Sequence, residues 1–283
     1  MMPLKTLPML LACLLLLAPV VTRPAAAQGV LVAPTSIVVD GRVRTGSLML
    51  VNPNGEPVEL ELSTIFGYPV TDSATGQLRL HTEEHPDSAS PSAASWIRIF
   101  PRRLTLAPKA QQTVRLLVTP PPGLAEGEYW ARLVVTARGG HVQLADVADT
   151  ALKVGLSVEV RTILPVMYRV GKLRTTVALS GLRAQVQDDS LVVRSRMERQ
   201  GNAAAIGTAR GELVDASGKV RSSFSMPVAV YYGAEPRFTA PLAGLPPGTY
   251  RLRLEVVGRR EDLAPETVLA FPVVRDSVTV SVP

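Results

Sequence analysis

The chain has 283 residues, 46% of them hydrophobic, a formal net charge of +6 and one cysteine. That length and apolar content suffice for two packed domains of ordinary size. The basic excess is mild and set in pairs beside turn residues (Arg102-Arg103, Arg259-Arg260), which argues for solvated strand ends and against a nucleic-acid face.

Residues 1–27 read as a signal peptide. Lys5 gives a basic start, Leu7 to Val21 is an apolar run of 15 residues, and Ala25-Ala26-Ala27 is a small-residue cleavage site. The run is short for a membrane span, and no later stretch is long enough for stable insertion. Cys13 lies inside the run, whereas a lipidated cysteine should follow it. A cut after Ala27 leaves 256 residues, a charge of +4 and no cysteine, so the exported chain is held by burial alone although its compartment permits disulfides.

The rest reads as strand and turn. Val30–Val32 and Ser36–Gly41 make a first strand ending at Asp40-Gly41, and Thr45–Asn52 follows, closed by Pro53-Asn54-Gly55. Pro57–Phe66 alternates, Thr71–Leu80 holds a turn and a short strand, and 82–95 is polar and Pro-rich, an exposed loop. Trp96–Phe100, Leu104–Leu106, Gln112–Val118 and Glu128–Val135 are further strands. A connection of about sixteen residues with Gly139-Gly140 leads to the alternating stretch Lys153–Gly171. Strands of this number, with turns about every ten residues, predict an antiparallel sandwich of immunoglobulin type over residues 28–170. In 171–283, Leu191–Val193, Ala209–Val214, Lys219–Phe224, Val228–Tyr231 and Pro246–Val256 predict a second β-sandwich. The expected fold is all-β, two tandem immunoglobulin-like sandwiches. No segment shows a sustained period of 3.6.

Catalysis finds little support. His81-Thr82-Glu83-Glu84-His85 matches a zinc-protease pattern that needs both histidines on one helix, but Pro86 follows at once and Gln77-Leu78-Arg79-Leu80 reads as strand. The exported chain has no cysteine nucleophile and no G-x-S-x-G elbow. We expect no enzyme, no catalytic residues, no metal and no cofactor.

The order of the pieces resembles the first domain of the periplasmic chaperones of the chaperone/usher pathway, the PapD-like family. The resemblance spans about residues 30 to 170. It rests on Asp40-Gly41, Leu50-Val51-Asn52-Pro53, Ile99–Pro108 leading into Gln112–Leu116, Glu128-Tyr129-Trp130, and the long strand ending Tyr168-Arg169. The resemblance implies a chaperone that caps secreted, β-rich pilus-type subunits by lending its own strand. It also implies periplasmic location and an outer-membrane usher as a candidate second partner.

On that reading Val154, Leu156, Val158, Val160 and Leu164 form the client-binding row, because alternate residues of one edge strand fill the partner's pockets while backbone bonds join the sheets. Val166 and Tyr168 continue the parity. Alternation alone also fits a strand facing its own core. The strand's length, about 50 Å at ~3.3 Å per residue, favours the donor. The family's Arg and Lys, which clamp the client's terminal carboxylate, fall here on Ser36 and near Pro165. That leaves Arg161 and Arg169 as candidate anchors, or no clamp. The alternative is a structural or adhesive envelope protein of immunoglobulin-like modules, which needs no exposed apolar edge.

Overall fold

The computed structural model describes residues 29–142 and 156–283, so Val154 lies outside the described residues. The first unit contains β1 (Leu31–Ala33), β2 (Ile37–Asp40), β3 (Thr45–Val51), β4 (Val58–Thr71), β5 (Leu78–Glu83), β6 (Ile97–Phe100), β7 (Arg103–Leu106), β8 (Gln111–Val118), β9 (Gly127–Val142) and β10 (Leu156–Val170). The second contains β11 (Thr175–Gln187), β12 (Ser190–Gly201), β13 (Ala205–Val214), β14 (Val220–Val230), β15 (Gly233–Ala234), β16 (Arg237–Pro241), β17 (Gly248–Val257) and β18 (Val274–Val282).

The chain folds as two immunoglobulin-like sandwiches. In the first, the sheet β1-β3-β8-β6 packs on β2-β10-β9-β4-β5, with β7 beside β4. The opening segment changes sheets: β1 pairs antiparallel with β3, whereas β2 pairs parallel with the end of β10. In the second, β11-β12, extended by β15 and β16, faces β14-β13-β17-β18. Strand alternation builds both cores. In β8, Val114, Leu116 and Val118 point inward while Thr113, Arg115 and Leu117 point out. In β17, Tyr250, Leu252, Leu254 and Val256 do the same. Each such Val or Leu contributes about 1.5–3 kcal/mol before chain entropy.

Three expectations are corrected. β9 runs on to Val142, so Gly139-Gly140 lies within a strand. Flanking partners override the turn tendency: Ala137 pairs with Val160 of β10 and Leu60 of β4, and Gly139 brings the backbone against Pro57. β4 extends through Gly67 and Pro69 to Thr71, held by β5. The 82–95 loop is not wholly exposed, because Ala93 is fully buried and its N–H donates to the Trp130 carbonyl. β11, β16 and β18 carry no expectation from the sequence. Their polar outward faces and short apolar rows gain order from neighbouring strands, not from local pattern.

A third cluster joins the sandwiches: Phe66, Trp130 and Met167 from the first meet Ala204, Ile206 and Tyr231 from the second. Trp130 stacks edge-on against Tyr231, centroids 4.6 Å apart.

Candidate functional site

β10 is paired unequally on its two sides. β9 accompanies its whole length, from Leu156 opposite Val142 to Val170 opposite Gly127, with a bulge between Ser157 and Glu159. β2 accompanies only Val166 to Arg169. Among the described residues, no strand covers the second side of Leu156–Pro165. That leaves about 33 Å of backbone edge at ~3.3 Å per residue. An edge of this kind is a template for another strand.

The strand divides into two halves on its inner face. Leu164, Val166 and Tyr168 are 5%, 1% and 3% exposed and belong to the first core. Val158 and Val160 are only half-buried. Leu156 begins the strand opposite Val142. Leu164 is therefore a correction to the expected client-binding row: the core closes over it, so its apolar surface is already used. The core-strand reading holds for the Leu164–Tyr168 half of β10, whereas Val158 and Val160 are only partly enclosed.

The outer face carries charge. Glu159 accepts from Arg138 Nε (2.7 Å) and Arg161 Nε (2.6 Å), and Arg138 also reaches Glu61, which Arg103 holds from the other side. These guanidinium bonds, Arg138 first, hold the Glu159 carboxyl below its usual range. Arg161 stays exposed beside the open edge.

Arg169 is a correction. Its Nε donates to buried Glu128 (2.8 Å), and Nη1 and Nη2 donate to the carbonyls of Glu266 and Thr267 (2.5 and 2.9 Å). All three nitrogens are committed to the join between sandwiches, so it offers no fork to a client carboxylate. Glu128 also accepts from Trp130 Nε1 and the Ala204 N–H. Ser36 is likewise used, its hydroxyl sharing a 2.7 Å hydrogen bond with Thr267.

Arg132, which the sequence reading passed over, lies directly opposite Pro165 in the β9–β10 register. It is 6% exposed. Its Nε donates to the Gly67 carbonyl (2.9 Å) and its guanidinium lies 5.0 Å from the Tyr231 ring centre. Its Nη2 is buried and, among the described residues, meets no hydrogen-bond acceptor. Such a donor costs about 1–3 kcal/mol or more when left unmade. The signal was present in the sequence: a lone charge within Tyr129-Trp130-Ala131-Arg132-Leu133-Val134-Val135.

The zinc-like pattern does not form a helix. His81 and Glu83 lie on β5, two residues apart, with Nε2 and Oε1 at 2.7 Å. Among the described residues no group of three or more His, Cys, Asp or Glu is placed to hold a metal ion. No helix there is long and apolar enough to cross a membrane.

The geometry thus defines a two-sandwich protein with a long strand whose edge is half open among the described residues. No family model matches the sequence, and no curated protein matches it either. Among solved structures, the chain is similar to the CupB2 chaperone of Pseudomonas aeruginosa, with 15% identity over 89% of this chain and 100% of that one, TM-score 0.40. It is similar to the YadV chaperone, with 13% identity over 89% and 99%, TM-score 0.45. It is also similar to the Salmonella enterica SafA pilin in complex with the SafB chaperone, with 13% identity over 82% of this chain and 91% of that one, TM-score 0.41.

Proposed function

We propose that the protein is a periplasmic chaperone that lends the open half of β10 to a secreted, β-rich, pilus-type subunit. One observation carries the reading: β2 begins only at the level of Val166, so Leu156–Pro165 keeps an unpaired backbone edge among the described residues. Backbone bonds along that edge supply affinity, and Leu156, Val158 and Val160, with Val154 before them, fill alternate pockets of the client. Glu159 and Arg161, on the opposite face, discourage edge-to-edge pairing of two chaperones while leaving the inner row apolar.

In this reading Arg132 takes the client's terminal carboxylate, because its buried Nη2 donor is unmatched and a charge-assisted bond would satisfy it. An outer-membrane usher then receives the loaded complex. Neither nucleotide nor metal enters the cycle. Residues 1–27 direct export and are removed.

The test is a pull-down of the tagged mature chain from its own periplasm, comparing wild type with a Leu156→Asp, Val158→Asp double variant. The expected result is a β-rich secreted protein bound by wild type and lost from a folded variant. The same partner with both, or none with either, would sink the reading and favour a structural or adhesive envelope module.

A further inference from the structure

Away from the strand edge, the second sandwich places three arginines in one cross-strand row. Arg183 of β11 lies opposite Arg194 of β12, and Arg194 lies opposite Arg237 of β16. Like charges directly opposite one another destabilise a sheet. The row is only partly neutralised locally. Glu235 pairs with Arg183. Among the described residues, neither Arg194 nor Arg237 has a carboxylate in ion-pair range. Arg194 spends its Nη1 and Nη2 on the carbonyls of Ser73 and Ala74, at 3.3 and 2.7 Å, and Arg237 reaches only the Gln187 amide oxygen, at 3.4 Å.

The row also lies in a built groove. A cavity of about 620 Å³ is lined by the three arginines, by Gln185 and Gln187, and by Thr75 and Gln77 at the tip of the β4–β5 hairpin of the first sandwich. The tip is fixed there by backbone bonds, Arg237 N–H to the Gly76 carbonyl (3.1 Å), and by Glu235 N–H to Thr71 Oγ1 (2.7 Å). Gly76 has φ +69°, and a Cβ there would meet the Arg237 backbone nitrogen at 2.9 Å, so the close approach requires glycine.

We propose that this groove is a binding site for a multiply charged oxyanion of the phosphoryl type. Three guanidinium groups against one carboxylate leave an excess of two positive charges, which a dianion matches. Arg194 contributes charge while its Nη atoms stay on the hairpin carbonyls; the free guanidinium donors of Arg183 and Arg237 suit a tetrahedral oxyanion, and the glutamine amides add neutral donors. Because the wall belongs to one sandwich and the floor to the other, the anion strengthens their join.

The experiment is thermal unfolding of the whole mature chain with inorganic pyrophosphate, against potassium chloride at equal ionic strength, for wild type and an Arg183→Gln, Arg237→Gln variant. Wild type should gain several degrees, roughly 5 °C at a hundredfold excess over Kd. The variant should not respond, and its midpoint without anion should equal or exceed that of wild type because the like charges are gone. If the double variant does not fold, Arg237→Gln alone carries the comparison. A parallel sedimentation with phosphatidylglycerol and phosphatidylcholine vesicles separates the sources. Arginine-dependent binding to the anionic vesicles without a pyrophosphate response means a lipid-borne phosphate. A pyrophosphate response alone means a soluble one. Equal responses in wild type and variant, or no response to either probe, overturn the proposal.

Discussion

On the proposed reading, two side chains separate binding from folding at the residue scale. Val158 is half-buried and Leu164 is closed in the core, though both have the same parity on one strand. Val158→Asp should therefore abolish client capture with the thermal midpoint nearly kept. Leu164→Ala should lower stability by about 2–5 kcal/mol, read by urea unfolding, whatever it does to binding. Arg132 gives a different split. Replacing it with Met removes an unmatched buried donor, so stability should hold or rise. On the proposed reading, affinity for a client should fall more than about tenfold, while a client lacking its free terminal carboxylate should bind both forms alike. Glu128, fully buried and holding Arg169, Trp130 and Ala204 together, is the opposite case. Glu128→Ala strands the Arg169 charge and should cost about 3–5 kcal/mol in the same urea experiment.

β10 should show its two halves in hydrogen exchange, which reports local opening at the element scale. The amides of Val166–Arg169, held between β9 and β2, should exchange slowly. Within Leu156–Pro165, the amides aimed away from β9 should exchange fast in the free protein and become protected once a client is bound. Uniform protection along β10 in the free protein would mean that the edge is covered. The β4–β5 hairpin is the second element with a distinct job. Its tip reaches across to β12 and β16, and Gly76→Ala should loosen that contact without unfolding either sandwich. An increased radius of gyration in solution scattering would be the sign.

Among the described residues, the contacts that join the sandwiches include the Trp130–Tyr231 cluster, the Arg169–Glu128–Thr267 network and the hairpin tip. The pH response of the whole molecule follows from groups across its surface. Asp40, Glu61, Asp72, Asp87, Glu159 and Asp215 are held below their ordinary values by hydrogen bonds, and Asp262 is lowered to about 2 by Arg260. A carboxyl whose folded pKa is depressed adds stability above its unfolded value, here 3.8 or 4.5, and loses it as pH falls through the folded value. The thermal midpoint should thus be flat from pH 5 to neutrality and fall as pH drops from about 4 toward 2. Tyr231 moves the other way. Burial raises its hydroxyl above the usual 10, so its contribution is present below 10 and is lost above it. Alkaline scattering should show the sandwiches loosening at their join.

The sequence by itself determined the class of fold. Period-two alternation in segments such as Gln112–Val118 and Gly248–Val256 leaves no other way to bury the apolar rows, and Pro- and Gly-rich turns space the strands as sandwiches require. It also placed β10 and its parity. What alternation could not decide was which stretch of β10 faces a core, because parity is local while burial depends on where a neighbouring strand begins. The start of β2 at Ile37, opposite Val166, decided that, and it lies more than a hundred residues away in the chain. The same holds for charge. In the sequence Arg169 is a single arginine at a strand end and Arg132 a single arginine within an apolar strand, yet only packing against the second sandwich ties the former and leaves an unmatched donor on the latter. The arginine row in β11, β12 and β16 is spread over more than fifty residues and exists only as register.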